Sequence, residues 1–223
     1  MEKINYQRKL DEILQKIEEE GRKPKLLLHS CCAPCSSYVL EYLTKFFDIT
    51  LLYYNPNIYP EAEYFKRYRE LERLIEEMPL ENSCKLLPAE YDSREFFSAV
   101  KGLEEIPEGG ERCFACYRLR LEKAAQIAAE TGAEYFTTTL SISPYKNAGK
   151  LNEISAEVGE IYKVAPLPAD FKKKNGYKRS TELSKEYGMY RQDYCGCVYS
   201  YRERHPEELL VQQTGPGETG WEK

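Results

Sequence analysis

The longest apolar runs in this 223-residue chain are the length of short strands, such as Leu26-Leu27-Leu28. A membrane-spanning helix needs about 20 apolar residues, so none is predicted. The opening Met1-Glu2-Lys3-Ile4-Asn5-Tyr6-Gln7-Arg8-Lys9-Leu10 is charged throughout and predicts no export signal. Excess charge of one sign is also missing: 32 Lys and Arg face 37 Asp and Glu, a net charge of −5. That balance argues against a protein that coats nucleic acid nonspecifically, while a local basic face stays open. No internal repeat is evident, and nothing before the tail resembles a flexible linker. The expectation is a cytoplasmic protein with reduced thiols and no membrane partner.

With 42% hydrophobic side chains the chain can bury a core as one domain over 1–223, without disulfides. Leu10, Leu14 and Ile17 lie at helical spacing. Strands are predicted at Lys25–His29, Asp48–Tyr54, Cys84–Pro88, Glu134–Leu140 and Ile161–Ala165. Helices are predicted after the first cysteine loop, over Glu61–Glu77, Ser93–Gly102 and Cys116–Glu130, and around Asn152–Val158. This alternation predicts an α/β fold: an open, parallel, five-stranded sheet with helices on both faces. The sheet core spans 22–165. A tyrosine-rich extension, 166–205, packs over the sheet's edge or active face, and 206–223 forms a tail.

Eight cysteines stand out against this background. Seven form tight groups: Cys31-Cys32-Ala33-Pro34-Cys35, Cys113-Phe114-Ala115-Cys116 and Cys195-Gly196-Cys197. Cys84 stands alone in an apolar strand and reads as packing. Open parallel sheets bind ligands beyond the carboxyl ends of their strands, where Cys31 and Cys32 fall. Cys113 and Cys116, three apart near a helix start, share one face close to the positive end of the helix dipole.

Four such thiolates suit a structural zinc or a 4Fe-4S cluster, and ligand type alone does not separate them. Adjacent cysteines are awkward around a single zinc ion and easier at separate corners of a cubane. Dithiol redox chemistry is a third option. In Cys195-Gly196-Cys197 one intervening residue makes a strained disulfide loop, and strained, accessible disulfides are the labile ones. The plainer options are extra metal ligands or buried thiols.

Three stretches in order resemble the cobalamin-independent epoxyqueuosine reductases, the QueH family. They are His29-Ser30-Cys31-Cys32-Ala33-Pro34-Cys35, Arg112-Cys113-Phe114-Ala115-Cys116-Tyr117-Arg118-Leu119-Arg120 and Tyr190-Arg191-Gln192-Asp193-Tyr194-Cys195-Gly196-Cys197. The resemblance runs from the first strand to about Tyr199. It implies an oxidoreductase that removes the epoxide oxygen of epoxyqueuosine at the wobble position of tRNA in two electrons, with a separate electron donor. It further implies a 4Fe-4S cluster on Cys31, Cys32, Cys113 and Cys116, a redox-active disulfide between Cys195 and Cys197, and a sheet of the adenine-nucleotide alpha-hydrolase (HUP-like) type. No nucleotide-binding glycine loop is present, so the cysteine loop takes the place where relatives of that fold hold phosphate.

Cys35 is surplus to four ligands. It is assigned to a second, mononuclear iron or to the substrate oxygen beside the cluster, with Asp193 as an oxygen ligand or acid, against the alternative of a packed thiol. His29 reads as a satisfied core residue. Lys172, Lys173, Lys174, Lys178, Arg179 and Arg191, with Tyr177 or Tyr190 stacking a base, form a candidate tRNA-facing surface, against the default of a solvated charged face. Ser141-Ile142-Ser143-Pro144-Tyr145-Lys146-Asn147 follows a strand end and reads either as a contact to ribose or phosphate or as an ordinary loop. Two other classes compete: a zinc-stabilised RNA-binding domain with structural cysteines, and a sulfur-transfer tRNA enzyme, which the missing phosphate loop disfavours.

Overall fold

The structure is a computed structural model that describes residues 4–206. The predicted tail lies outside the described residues from 207 onward. Asn5 caps the first helix, α1 (Tyr6–Glu19), by accepting from the Arg8 amide at 3.1 Å. Leu10, Leu14 and Ile17 of α1 are buried, each worth roughly 1.5–3 kcal/mol of transfer from water. Strand β1 (Lys25–His29) leads into α2 (Ala33–Leu43), followed by β2 (Asp48–Tyr53), α3 (Glu61–Glu77), β3 (Cys84–Pro88) and α4 (Ser93–Ala99). Then come α5 (Glu111–Thr131), β4 (Tyr135–Thr138), a 3-10 turn over Thr139–Ile142, α6 (Ala148–Tyr162), β5 (Ala165–Pro166), α7 (Gly176–Glu186) and α8 (Val198–Arg204).

All strands are parallel, in the order β3-β2-β1-β4-β5. The period of two along β1 separates the layers. Leu26 and Leu28 pack with α1, α2, α3 and α7, while Leu27 packs with α5 and α6. The expected sheet with helices on both faces is therefore present. Chain order reverses between β1 and β4, which makes their carboxyl ends the topological switch point, the place where folds of this type bind ligands.

Several boundaries differ from expectation; α4 ends at Ala99 rather than Gly102, α6 starts at Ala148 rather than Asn152, and three others bear on the site. The fourth strand stops at Thr138 because the chain coils into the 3-10 turn, with the Thr138 hydroxyl accepting from the Leu140 amide at 3.2 Å. The predicted fifth strand at Ile161–Ala165 is displaced, since α6 continues to Tyr162 and ends with Lys163 in the left-handed region, φ 59°. The strand that follows is only Ala165–Pro166. Helix α5 starts at Glu111 rather than Cys116, so both of its cysteines lie in its first two turns.

The extension returns over the site. Gly176 starts α7 where a Cβ would lie 2.0 Å from the Phe171 carbonyl oxygen and 2.4 Å from Tyr38 Cε1, so only glycine lets α7 approach α2 this closely. The chain then crosses to the ends of the strands, where the Tyr59 amide donates to the Gly196 carbonyl at 2.8 Å.

Candidate metal and redox centre

The first cysteine group forms the turn between β1 and α2. Cys32 is the N-cap of α2, and Pro34 sits in its first turn, where a missing N–H costs nothing. This turn brings the sulfurs of Cys31, Cys32 and Cys35 within 4.8 Å of one another, with Cys31 and Cys32 3.7 Å apart. Cys35, expected to be surplus, is thus a full member of a triad able to hold a metal.

Negative charge in the triad collects on Cys32. Hydrogen bonds from Cys31 and Cys35 hold its thiol well below the ordinary value, helped by the Arg67 charge and the Gln192 amide, and the same bonds push Cys31 and Cys35 up. The N-terminus of α2 acts in the same direction.

Cys113 and Cys116 do not join that tight triad. They are buried one turn apart on α5 and line an inner pocket together with Cys195 and Cys197. The Gly109 amide donates to Cys113 Sγ at 3.2 Å. Burial raises the pKa of both thiols. An open cleft adjoins this pocket, lined by Cys31, Cys35, Asp193 and Cys195 among others, and Arg120, Lys146 and Cys195 border both spaces. The three cysteine groups therefore meet at one place, the switch point.

Cys195 and Cys197 are both free thiols. Gly196 between them has φ +124°, and a Cβ there would lie 3.0 Å from Arg67 Nη1. Cys195 is half-buried and reaches the open cleft, whereas Cys197 is buried, borders only the inner pocket, and is pushed up to about 12 chiefly by burial. The Ser200 amide donates to Cys197 Sγ at 3.4 Å.

Buried cations surround the sulfurs, and the sequence reading did not single them out as such. Arg67 pairs with Glu63 at 2.7 Å and donates to the Cys195 carbonyl at 3.4 Å. Arg112 donates to the Glu104 carbonyl at 2.6 Å and pairs with Glu203 at 3.1 Å. Arg120, 2% exposed, donates to the Cys116 carbonyl at 3.3 Å and to Asn55 Oδ1 at 3.5 Å, and has no carboxylate partner among the described residues. Each of the three keeps one buried nitrogen without an acceptor: Arg67 Nη2, Arg112 Nε and Arg120 Nη2. Lys146 lies 2.8 Å from Cys195 Sγ and 3.3 Å from Glu108.

His29 is a satisfied core residue, as expected. Its Nε2 donates to the Tyr54 carbonyl at 3.0 Å, which leaves Nδ1 to accept from the Thr138 hydroxyl at 2.8 Å, and burial lowers its pKa to about 4, so the ring is neutral. Cys84 packs against the core, and burial pushes its thiol up to about 12.

The candidate tRNA surface divides. Arg191 and Tyr177 line the cleft. Lys172, Lys174, Lys178 and Arg179 instead pair with Asp170, Asp11, Glu182 and Glu41 respectively. Lys173 lies outside the cleft lining. The Tyr190 hydroxyl donates to Glu63, and its ring carries the Lys66 ammonium 3.4 Å from the centroid. Asp193, at the cleft, pairs with His205 at 3.2 Å.

Fold and site together define a class: a doubly wound α/β protein with a cysteine centre able to hold a metal at its switch point. A family model described as Epoxyqueuosine reductase QueH matches residues 26–203. The chain belongs to that family. A Streptococcus pyogenes serotype M1 protein named Epoxyqueuosine reductase QueH is 46% identical over 214 residues, 95% of this chain and 84% of its own. One of the same name from Staphylococcus epidermidis is 46% identical over 203 residues, 89% and 85% of the two chains. Another from Thermotoga maritima is 38% identical over 194 residues, 84% and 96%. No described helix is long and apolar enough to cross a membrane.

Proposed function

We propose that this protein is an epoxyqueuosine reductase, which removes the epoxide oxygen of epoxyqueuosine in tRNA and leaves the alkene of queuosine. The observation that carries the chemistry is Arg120, a buried guanidinium with no carboxylate partner among the described residues, whose charge is felt by Cys31, Cys116 and Cys195. An uncompensated buried cation costs several kcal/mol, so negative charge on the surrounding sulfur balances it.

A 4Fe-4S cluster fits this donor set. Four thiolates around a cubane carry net negative charge and offer sulfur acceptors, which suit the three guanidinium nitrogens left without partners. Cys31, Cys32, Cys113 and Cys116 would hold it. When bound, such a cluster supplies single electrons and a Lewis-acidic iron. Cys35, in the triad and on the cleft, is then free to face a second iron or the substrate oxygen, with Asp193 nearby as acid or ligand.

Two electrons and two protons convert an epoxide to an alkene and water. Cys195 and Cys197 supply both electrons by forming an S–S bond. Their two sulfurs also release the two protons if both start as thiols, or one if Cys195 starts as a thiolate, solvent then giving the second. An external two-electron reductant of the dithiol class reopens the bond. Arg191, Tyr177 and the exposed Tyr145 form the tRNA-facing rim of the cleft, with Lys173 adding charge outside the cleft lining.

Anaerobic purification with iron, acid-labile sulfide and zinc analysis tests the cofactor. The expected result is about four iron and four sulfide per chain, with iron above four reporting a second site. One zinc and no sulfide would favour the zinc-stabilised RNA-binding domain instead.

A further inference from the structure

Tyr145 is 68% exposed, more than any other large apolar side chain among the described residues. Its loop is nevertheless well held. The Lys146 amide donates to the Ser143 carbonyl at 3.2 Å, and the Tyr145 amide donates to the Ser143 hydroxyl at 3.3 Å. Ile142 is buried on one side, while on the other Lys146 sinks a side chain only 7% exposed into the cleft wall and reaches Glu108 at 3.3 Å. Asn147 then caps α6 by accepting from the Lys150 amide at 3.0 Å. A fixed backbone thus holds a large ring out in water at the mouth of the cleft.

Arg204, at the end of α8, places its guanidinium carbon 5.7 Å from the Tyr145 ring centroid, within reach of the ring's negative face. One face of the ring is thereby backed by a cation, and the high exposure of Tyr145 leaves the other open. Arg191 donates to the Ser184 hydroxyl at 2.9 Å, and neither it nor Arg204 has a carboxylate partner among the described residues. Of the charged side chains lining the cleft, four are cations, Arg120, Lys146, Arg191 and Arg204, and two are carboxylates, Glu108 and Asp193. An open aromatic face beside an excess of cations suits a base on a phosphate backbone, because unstacked bases lie on aromatic rings while their phosphates seek cations. An acidic protein surface would answer only the charge.

The size of the cleft says which part of the substrate lies at its mouth. It encloses about 160 Å³, room for on the order of ten water-sized groups. That accommodates the epoxide-bearing arm of the modified base beside Cys31, Cys35 and Cys195, and leaves the base itself outside, at the level of Tyr145.

We propose that Tyr145 is the stacking platform for the wobble base of the tRNA, with Arg204 backing the ring and the epoxide arm reaching past it into the cleft. This rests on the tRNA-substrate reading given above. The platform is a binding and specificity determinant, since it recognises a planar base turned out of the anticodon stack.

The test is the affinity of the iron-loaded full chain for a pair of anticodon stem-loop RNAs, one with guanosine at the wobble position and one with an abasic nucleotide there. Tyr145→Ala is expected to weaken binding of the guanosine loop about tenfold and to leave the abasic loop within about twofold of wild type, while Tyr145→Trp keeps wild-type affinity for both. The ring is exposed, so neither substitution should move the Tm. With tRNA carrying epoxyqueuosine as substrate, the Ala variant should raise KM by a similar factor. Equal weakening of both loops by Ala, weakening of neither, or a wild type that does not distinguish the loops overturns the platform. Slower turnover at unchanged affinity for both loops overturns it in favour of a protein reductant docking on this face. None of these outcomes touches the reductase reading, which fails only if the wild type leaves the epoxide of its tRNA intact.

Discussion

Gln192 Nε2 donates to Cys32 Sγ at 3.1 Å across 160 residues of sequence, so the C-terminal extension reaches the sulfur on which the triad's charge collects. Groups of this kind tune a centre without building it. Gln192→Leu should keep wild-type iron and sulfide content while turnover falls about tenfold or more. Loss of iron with unchanged specific activity per cluster would contradict this.

Arg120 gives an unusual expectation because its charge has no carboxylate partner among the described residues. Removing the metal centre should therefore destabilise wild type more than Arg120→Met. Thermal unfolding of both proteins before and after chelation checks this: the drop in Tm on chelation should shrink in the variant, and an equal drop in both would contradict the charge-balance account.

Gly196→Ala places a Cβ against Arg67 Nη1 at 3.0 Å and Ile58 Cγ1 at 3.2 Å, on a backbone at φ +124°. The variant should lose about 1–3 kcal/mol of stability in urea unfolding. It should also close the Cys195–Cys197 disulfide more slowly, measured by the rate at which free thiol disappears on mild oxidation.

Glu70 ties α3 to the extension by accepting from the Tyr190 amide at 2.9 Å and from Arg73 at 2.7 Å. Burial alone would raise its pKa, and the Arg73 and Tyr190 contacts outweigh it, holding the carboxyl below its ordinary value. A depressed folded-state pKa means this contribution is fully present above the unfolded value of about 4.3 and is lost as pH falls through the folded value. Glu70→Gln should therefore cost stability at neutral pH and show a shallower decline below pH 4.5 than wild type, read from denaturant midpoints. Parallel declines would contradict the assignment.

Local pattern carried much of the fold. The bounds of β1, α3 and β3 agree with the sequence reading because Pro24, Pro60 and Pro88 punctuate short apolar or periodic runs. Where no such mark exists the reading slipped. Ile161 to Ala165 is apolar enough for a strand, yet α6 runs on to Tyr162 and stops at Lys163, a left-handed cap with no glycine to announce it. Helix α5 begins behind Gly110, with no side-chain capping bond to signal its start.

The site divides in the same way. Cysteines group visibly in sequence, because close spacing is itself chemical information. Arg67, Arg120 and Lys146 look like any surface cation until the fold buries them beside sulfur. In the run Lys172 to Lys174, sequence proximity suggested an anion surface, whereas Asp170 and Asp11 occupy two of its three charges.

The central claim is tested most directly by incubating anaerobically purified, iron-loaded full chain with tRNA carrying epoxyqueuosine and a chemical reductant, then reading the modified nucleoside by mass spectrometry. The account predicts loss of one oxygen to give queuosine, abolished in Cys32→Ala and Cys195→Ala. A chain that holds about four iron and four sulfide yet leaves the epoxide intact under these conditions would contradict it.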